Sequence, residues 1–441
     1  MSKRIRSWLF MAFIGLFVVG TTLISLYASG YKINLSWSPQ TGRLLIKTGM
    51  IIIDSQPNGA TVYLDNEPQT FFSLNPWHNQ NITTTAKLRN IPPGEYDLRL
   101  EKEGYLSWNK KIKVAPNQAT TLTDINLFRS DVPQLITPAP DGPLSLSSDR
   151  RYLYVASEQK IVLLRSGQEK SLPSDINLTG HWLKNSSRLV VGSSLLSFDG
   201  LDNDYRQLVG PETSSIFDEP TNRLYYEKEG IISYLDITSR TANIVLKEEN
   251  IITYYPSGQT IWLLVAENGR AILKKHSLTT KLTNVIYELP SVGQYSFIND
   301  QGSLLSLYDN QNKTLYLIND NEPASTPITI KDAYSWQWLD KNTLLYNNAW
   351  EIFRFDIPSN NSSLLTRVGE ELQQIIWNKD RDYIILATTD SLRIYDPRLE
   401  TTTHLLQTNK ISAPVLDADN NILYFWAKIG QQSGIYKIIL Q

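Results

Sequence analysis

The residue types that most often do chemistry are few and scattered in this sequence. No cysteine is present, which excludes a disulfide framework, a thiolate metal ligand and a cysteine nucleophile. No G-x-S-x-G elbow, P-loop, G-x-G-x-x-G or H-E-x-x-H spacing occurs. The four histidines are far apart along the chain, which favours ordinary polar packing over a shared metal; they are His78, His181, His276 and His404. We therefore predict no catalytic residue, no metal ligand and no cofactor, and we expect that the protein is not an enzyme.

Carboxylates are the other candidates for chemistry, and several recur in predicted turns. The clearest are Asp149, Asp300, Asp340, Asp380 and Asp419. Aspartate is common in turns because its side chain accepts hydrogen bonds from the backbone of the same turn. Turn formation therefore explains why these aspartates recur, without any catalytic role. The alternative is that the fold gathers such carboxylates into a cluster that works as acid and base.

Aromatic side chains are the candidates for binding. The insert EPQTFFSLNPWHNQ carries Phe71, Phe72 and Trp77 on a predicted loop, where they could dock a partner or a layer of lipid headgroups. The alternative is that they fold back over an open sheet edge and hide it. Trp350 is out of register with the repeated core aromatics described below, so we predict a surface position that is available for binding.

A membrane segment is predicted before all of these candidates. Lys3, Arg4 and Arg6 precede an uncharged run over residues 7–31, which is about the ~20-residue length that crosses the hydrocarbon core. Basic residues on the N-terminal side predict a cytoplasmic N-terminus, with the remaining chain outside.

Residues 1–31 are therefore predicted to be a short cytoplasmic N-terminus and a transmembrane anchor, and residues 32–48 a connecting segment. A cleaved signal peptide is the alternative, because small residues at 28–30 offer a cleavage-like position.

A small β module is predicted over residues 49–128. Pro, Gly, Asn and Asp separate its short strand candidates, which are residues 50–53, 61–64, 96–100 and 110–114. The module resembles the PEGA domain, a compact β-sandwich of bacterial and archaeal envelope proteins. The matching residues are Pro57, Gly59, Ala60, Val62 and Tyr63, then Pro93, Gly94 and Tyr96, then Gly104, Tyr105 and Trp108. The resemblance implies a location at the cell envelope.

The rest of the chain contains a self-similar unit. Each repeat has a bulky residue and, seven positions later, an aliphatic residue, with turn formers between them. The pairs are Leu146/Leu153, Trp182/Leu189, Phe217/Leu224, Tyr254/Ile261, Phe297/Leu304, Trp338/Leu345, Trp377/Ile384 and Leu416/Leu423. They begin about every 35–43 residues, which is the spacing of four-stranded propeller blades. We predict a β-propeller over residues 144–441 with about eight blades, or seven if one repeat is degenerate.

The last repeat has only three strand candidates, and the segment before the first repeat could complete it. Residues 129–143 are predicted to be a linker that also contains a closing strand, VPQLI at 132–136. Pairing this strand with the end of the chain would close the ring and remove an exposed edge. The bulky-x-x-Asp rhythm resembles TolB-like and WD-repeat propellers, a resemblance that implies a fold and no particular ligand.

Together these observations predict an all-β protein with an N-terminal transmembrane helix, a small PEGA-like β-sandwich and a β-propeller of about eight blades. The net charge of -2 gives no electrostatic reason to expect nucleic acid as a partner. We expect a single-pass, membrane-anchored, extracytoplasmic protein that binds or scaffolds an envelope protein or a cell-wall polysaccharide. The alternative is an extracytoplasmic hydrolase or lyase that uses carboxylates in the central funnel of the propeller.

Overall fold

The first element is an apolar helix. The computed structural model describes residues 3–33, 45–71, 80–172, 180–184, 186–199, 203–210, 215–298, 304–319 and 326–441. Helix α1 spans Lys3–Ala28, and its segment Ile5–Ala28 is long and apolar enough to cross a membrane. No residue of this segment is buried against other parts of the described chain. A signal sequence near the N-terminus passes the same test of length and apolar composition, so this test does not distinguish an anchor from a cleaved signal peptide. A short hairpin follows, with β1 at Tyr31–Ile33 and β2 at Leu45–Lys47.

The next seven strands form two sheets that pack face to face. In chain order they are β3 (Gly49–Gln56), β4 (Thr61–Leu64), β5 (Glu67–Pro68), β6 (Ala86–Ile91), β7 (Gly94–Glu101), β8 (Trp108–Val114) and β9 (Ala119–Asn126). One sheet has the order β6-β3-β9, in which β3 and β9 are parallel, and the other has the order β5-β4-β7-β8. Each strand of four residues or more therefore needs one apolar face.

Alternation along the strands supplies that apolar face. Ile51 and Ile53 of β3 and Val62 and Leu64 of β4 are buried, whereas the residues between them are partly exposed. They belong to one core cluster that also contains Leu98 and Leu100 of β7 and Ile112 and Val114 of β8. All four predicted strands are present. The strands β5, β6 and β9 were missed, and β9 is difficult to recognise because its sequence ATTLTDIN has only two large aliphatic residues.

The chain divides into two compact units. The first comprises Met1–Asp131 together with Arg398–Thr403 and Gln441, and the second comprises Val132–Pro397 and His404–Leu440. The sandwich lies in the first unit, and the repeats lie largely in the second.

The repeats form four-stranded antiparallel sheets, and in all of them but the last the strands lie in chain order. The sheets in chain order are β11 (Leu144–Leu146), β12 (Tyr152–Val155), β13 (Lys160–Leu163) and β14 (Gln168–Ser171); β15 (Gly180–Trp182), β16 (Arg188–Val191), β17 (Ser194–Ser197) and β18 (Asn203–Asp204); β19 (Ser215–Asp218), β20 (Arg223–Lys228), β21 (Ile231–Asp236) and β22 (Thr241–Lys247); and β23 (Ile251–Ser257), β24 (Thr260–Glu267), β25 (Arg270–Ser277) and β26 (Thr283–Leu289). They continue with β27 (Tyr295–Ile298), β28 (Leu305–Asp309), β29 (Thr314–Ile318) and β30 (Ile328–Ile330); β31 (Ser335–Trp338), β32 (Thr343–Asn347), β33 (Glu351–Asp356) and β34 (Asn361–Arg367); and β35 (Gln374–Asn378), β36 (Tyr383–Ala387), β37 (Ser391–Asp396) and β38 (Thr401–Gln407). The last sheet combines β10 (Gln134–Pro138), which precedes all of these strands, with β39 (Lys410–Asp417), β40 (Ile422–Ile429) and β41 (Gln432–Ile439). A one-turn helix, α2 (Arg206–Val209), follows β18.

The first strands of neighbouring sheets lie against one another, which gives the propeller-like arrangement. Such contacts join β11 to β15, β31 to β35, β35 to β39 and, across the ends of the array, β39 to β11. Eight four-stranded sheets are formed by the described residues of this array. The number of blades in the complete ring stays a prediction.

Polar side chains tie these first strands together. Gln337 Oε1 accepts a hydrogen bond from the Trp377 N–H at 2.8 Å, and Ser335 Oγ accepts one from the Ile375 N–H at 2.9 Å. A first strand pairs with only one neighbour in its own sheet, so half of its backbone groups need other partners. These side chains supply part of that pairing.

The seven-residue spacing of the repeats reflects cross-strand pairing. In five repeats the two residues are direct partners on the first and second strands; the pairs are Leu146/Leu153, Trp182/Leu189, Phe217/Leu224, Trp377/Ile384 and Leu416/Leu423. In the other three the register is shifted, so that Tyr254 faces Leu263, Phe297 faces Leu307 and Trp338 faces Leu344. Turn length sets the register of a hairpin, so a constant spacing in sequence does not guarantee direct pairing.

The array is closed as predicted, with a small correction. The last sheet has the order β10-β41-β40-β39, in which β10 supplies the outer strand from the N-terminal end of the repeats. The strand spans Gln134–Pro138 rather than 132–136, and Val132 is 82% exposed. Pairing with β41 begins at Gln134, which faces Lys437.

Candidate binding sites

Trp350 is held in an exposed position by a well-bonded turn between β32 and β33. Asn348 Oδ1 accepts hydrogen bonds from the N–H groups of Trp350, at 2.8 Å, and Glu351, at 2.7 Å. The Trp350 carbonyl accepts a further bond from the Val368 N–H at 2.8 Å. The side chain is nevertheless 52% exposed. A large aromatic side chain on a fixed backbone loses little conformational entropy on binding, which suits it to recognition.

An ion pair borders this aromatic side chain. Arg367 Nε lies 2.7 Å from Glu351 Oε1, and hydrogen bonds from Asn348 and Arg367 lower the pKa of the Glu351 carboxyl. The pair is therefore charged at neutral pH. We call the surface formed by Asn348, Trp350, Glu351 and Arg367 the Trp350 surface.

Of the three aromatic residues predicted in the insert, Phe71 is described. Its side chain is 59% exposed, and its N–H donates to the Gln80 carbonyl at 3.1 Å. The preceding residue, Thr70, bridges to Asn81 across the base of the insert. Phe72 and Trp77 lie outside the described residues. Phe71 belongs to the first unit and Trp350 to the second, and the binding roles of all four residues stay predictions.

The described histidines are dispersed. His276 is buried, its Nδ1 lies 2.9 Å from Thr283 Oγ1, and burial together with Lys281 lowers its pKa. His181 is on β15 and His404 on β38, while His78 lies outside the described residues. Among the described residues, no group of three or more His, Asp or Glu side chains could hold a metal ion.

The recurrent turn carboxylates bind their own turns. Asp340 Oδ1 accepts from the Asn342 N–H at 2.8 Å, and Asp149 Oδ1 accepts from the Arg151 N–H at 3.3 Å. Asp419 pairs with Arg150, which joins the turn between β39 and β40 to the turn between β11 and β12. Asp300 lies outside the described residues. These contacts support the interpretation of the aspartates as turn residues.

Sequence reasoning missed a cleft between the sheets β11–β14 and β15–β18. Its volume is about 430 Å³, and its lining includes Arg151, Tyr152, Ser187, Arg188, Phe198 and Asp199. These side chains come from two β-turns and a strand end in two different repeats, so no window of the sequence contains their spacing. The consecutive arginines in the turn SSDRRY were the only local signal.

Comparison with known protein families supports the PEGA resemblance. Residues 79–127 match the PEGA domain family, which confirms the resemblance for the second half of the predicted module. No curated protein sequence matches the chain.

Several solved structures are similar to part of this chain at low identity. An oligogalacturonate lyase in complex with manganese has 13% identity and a TM-score of 0.40, covering 70% of this chain and 92% of its own. A eukaryotic initiation factor has 13% identity and a TM-score of 0.44, covering 66% and 82%. The dihydro-heme d1 dehydrogenase NirN in complex with DHE has 13% identity and a TM-score of 0.42, covering 62% and 67%. The chain contains an apolar N-terminal helix, a match to the PEGA domain and a propeller-like array of sheets. These three features are consistent with an extracytoplasmic propeller protein anchored to a membrane.

Proposed function

We propose that this protein is a membrane-anchored, non-catalytic binding or scaffolding protein on the outer side of the cell membrane. Its ligand would be an envelope protein or a cell-wall polysaccharide. The observation that carries the proposal is the exposed Trp350 on a hydrogen-bonded turn, because a large aromatic side chain on a fixed backbone loses little conformational entropy on binding.

The anchor supports the proposed location. Helix α1 has no acidic residue in its first turn and no basic residue in its last, and Lys3, Arg4 and Arg6 precede its apolar run. Positive charge next to an apolar segment favours the cytoplasmic side for that end. The part of the chain that follows α1 would then lie outside the cytoplasm.

The Trp350 surface supports the proposed mode of binding. Tryptophan and arginine are the residues most enriched at interface hot spots, and truncating a buried interface tryptophan typically costs about 2 kcal/mol or more. The Arg367–Glu351 pair would lie at the polar rim, where it sets orientation more than affinity.

Site-specific photocrosslinking in intact cells tests the proposal. A benzoylphenylalanine at position 350 should capture a defined envelope component, and Trp350→Ser should weaken the interaction of the purified partner by roughly 30-fold. The matched control is position 282, because Leu282 is also an exposed apolar residue of the second unit. Equal capture from both positions, or capture from neither, would refute the Trp350 surface as the binding site.

The same preparation tests the non-catalytic part of the proposal. Purified full-length protein in detergent should release no soluble sugar or peptide from isolated envelope material. Release that increases with protein concentration and disappears on heat denaturation would favour the hydrolase or lyase alternative.

A further inference from the structure

The cleft between the sheets β11–β14 and β15–β18 has the dimensions of a small-molecule site. Its volume of about 430 Å³ lies within the ~300–1,000 Å³ range of ligand pockets. Its walls come from the turn between β11 and β12, the turn between β15 and β16, and the end of β17. All of these segments belong to the second unit.

Tyr152 and Phe198 line one wall of the cleft, and the Trp182 ring stacks on Tyr152. The rings of Tyr152 and Phe198 are stacked with centroids 5.4 Å apart, and those of Tyr152 and Trp182 are stacked at 6.3 Å. Trp182 Nε1 donates to the Ser145 carbonyl at 3.1 Å, which fixes its ring. Tyr152 is only 3% exposed, so Phe198 is the ring of this stack that lines the cleft most openly. An aromatic face presents partial negative charge and attracts the polarised C–H groups of a ring such as a sugar.

The two arginines of the cleft differ in how they are paired. Arg151 Nε lies 2.6 Å from Asp149 Oδ2, so its charge is neutralised. The guanidinium of Arg188 makes no ion pair with any residue in the described ranges. A guanidinium presents a planar set of donors that matches a carboxylate, and Arg188 therefore offers an open position for an anionic group.

The cleft also contains hydrogen-bond acceptors, in addition to the donors of its arginines. Asp199 Oδ2 accepts a hydrogen bond from the Tyr152 hydroxyl at 2.5 Å, which leaves its other oxygen able to accept. Ser187 contributes a hydroxyl that donates to Asp149 and can accept. A simple polyanion would be repelled by Asp199. In a ligand with one carboxylate and several hydroxyl groups, the carboxylate would pair with Arg188 and the hydroxyl groups would donate to Asp199.

We propose that this cleft binds one carboxylate-bearing sugar unit of an acidic glycan. The sugar carboxylate pairs with Arg188, ring hydroxyls donate to Asp199, and the apolar face of the sugar packs on Phe198. The site deepens the proposed function by naming a ligand class, and it rests on that function only for the idea that the protein is a binding protein. An acidic peptide could provide the carboxylate, but it offers no flat polyhydroxylated ring to the aromatic wall.

Calorimetric titration of the purified full-length protein in detergent tests this proposal. The ligands are a tetrasaccharide of glucuronic acid, a neutral glucose tetrasaccharide of the same length, and tetraglutamate. We expect the acidic sugar to bind at least about 10-fold more tightly than the other two. Absence of binding, or tetraglutamate binding as tightly as the acidic sugar, would overturn the assignment.

Two variants and a matched control locate the binding. Arg188→Gln should weaken binding of the acidic sugar by about 10-fold or more, and Arg188→Lys by less, because lysine keeps the charge but loses the planar pair of donors. The control is Arg165→Gln, an exposed arginine between β13 and β14, which should change nothing. Equal affinity in Arg188→Gln and Arg165→Gln would contradict the site. None of these residues belongs to the Trp350 surface, so either proposal can fail while the other stands.

Discussion

Asp149 shows how a single carboxylate in a turn can stabilise the fold. Partial burial acts to raise its pKa, but hydrogen bonds from Ser147, Ser187 and Arg151 outweigh burial and lower the pKa to about 2. Ser187 lies in the turn of the next sheet, between β15 and β16. The ionised Asp149 therefore joins two neighbouring sheets as well as stabilising its own turn.

This link predicts a pH-dependent loss of stability in Asp149→Asn. At neutral pH the variant should be less stable by about 1 kcal/mol, because charge-assisted bonds are lost at a partly exposed position. The native pKa is below the usual 3.8, so the carboxylate contributes fully above about pH 5 and loses its contribution as the pH falls toward about 2. The stability difference, measured by urea denaturation, should shrink over that range.

Asp380→Asn is the matched control for this prediction. Asp380 lies in the corresponding turn between β35 and β36, and its side chain makes no hydrogen bond or ion pair with any other residue in the described part of the chain. A pH-independent difference between wild type and Asp149→Asn, or an equal effect of Asp380→Asn, would show that the contacts of Asp149 do not stabilise the fold.

Among the elements, the closing strand β10 depends on a glycine in its partner β41. A Cβ atom at Gly434 would lie 2.6 Å from the Thr137 carbonyl oxygen and 3.0 Å from Pro138 Cα. Both of these are backbone atoms, so the strand itself would have to move.

Gly434→Ala should therefore loosen the closure of the array. We expect a loss of roughly 1–3 kcal/mol from overpacking and faster hydrogen exchange in peptides covering β10, measured by mass spectrometry. Gly369→Ala is the control, since nothing lies within 4 Å of the added Cβ. Unchanged exchange in β10 would mean that this contact does not hold the closing strand.

Some features of the strands and sheets could be predicted from sequence patterns, and others could not. The repeat and the closing strand could be predicted because both depend on short-range alternation and on counting strands. Trp338 and Leu345 have the seven-residue spacing of the repeat, but Trp338 faces Leu344 across the hairpin, because hairpin register depends on turn geometry that spacing does not encode. The cleft at Arg188 could not be predicted, since its residues come from separate repeats and meet only when the sheets pack.

For the whole molecule, the main question is how the chain is attached and on which side of the membrane it lies. Helix α1 has the length of a membrane span, and residues 79–127 match a PEGA domain. If α1 is an anchor, mass spectrometry of protein isolated from membranes should find the segment Lys3–Ala28 still attached. A mature N-terminus near Tyr31 would instead identify a cleaved signal peptide.

Labelling of Ser239→Cys in intact cells tests the account most directly. The chain has no other cysteine, and Ser239 is exposed in the second unit. Labelling by a membrane-impermeant maleimide therefore reports the side of the membrane on which the second unit lies. We predict full labelling of membrane-bound protein in cells whose outer barrier has been removed, with no increase after the membrane is permeabilised. Labelling that appears only after permeabilisation would place the propeller in the cytoplasm and contradict the account.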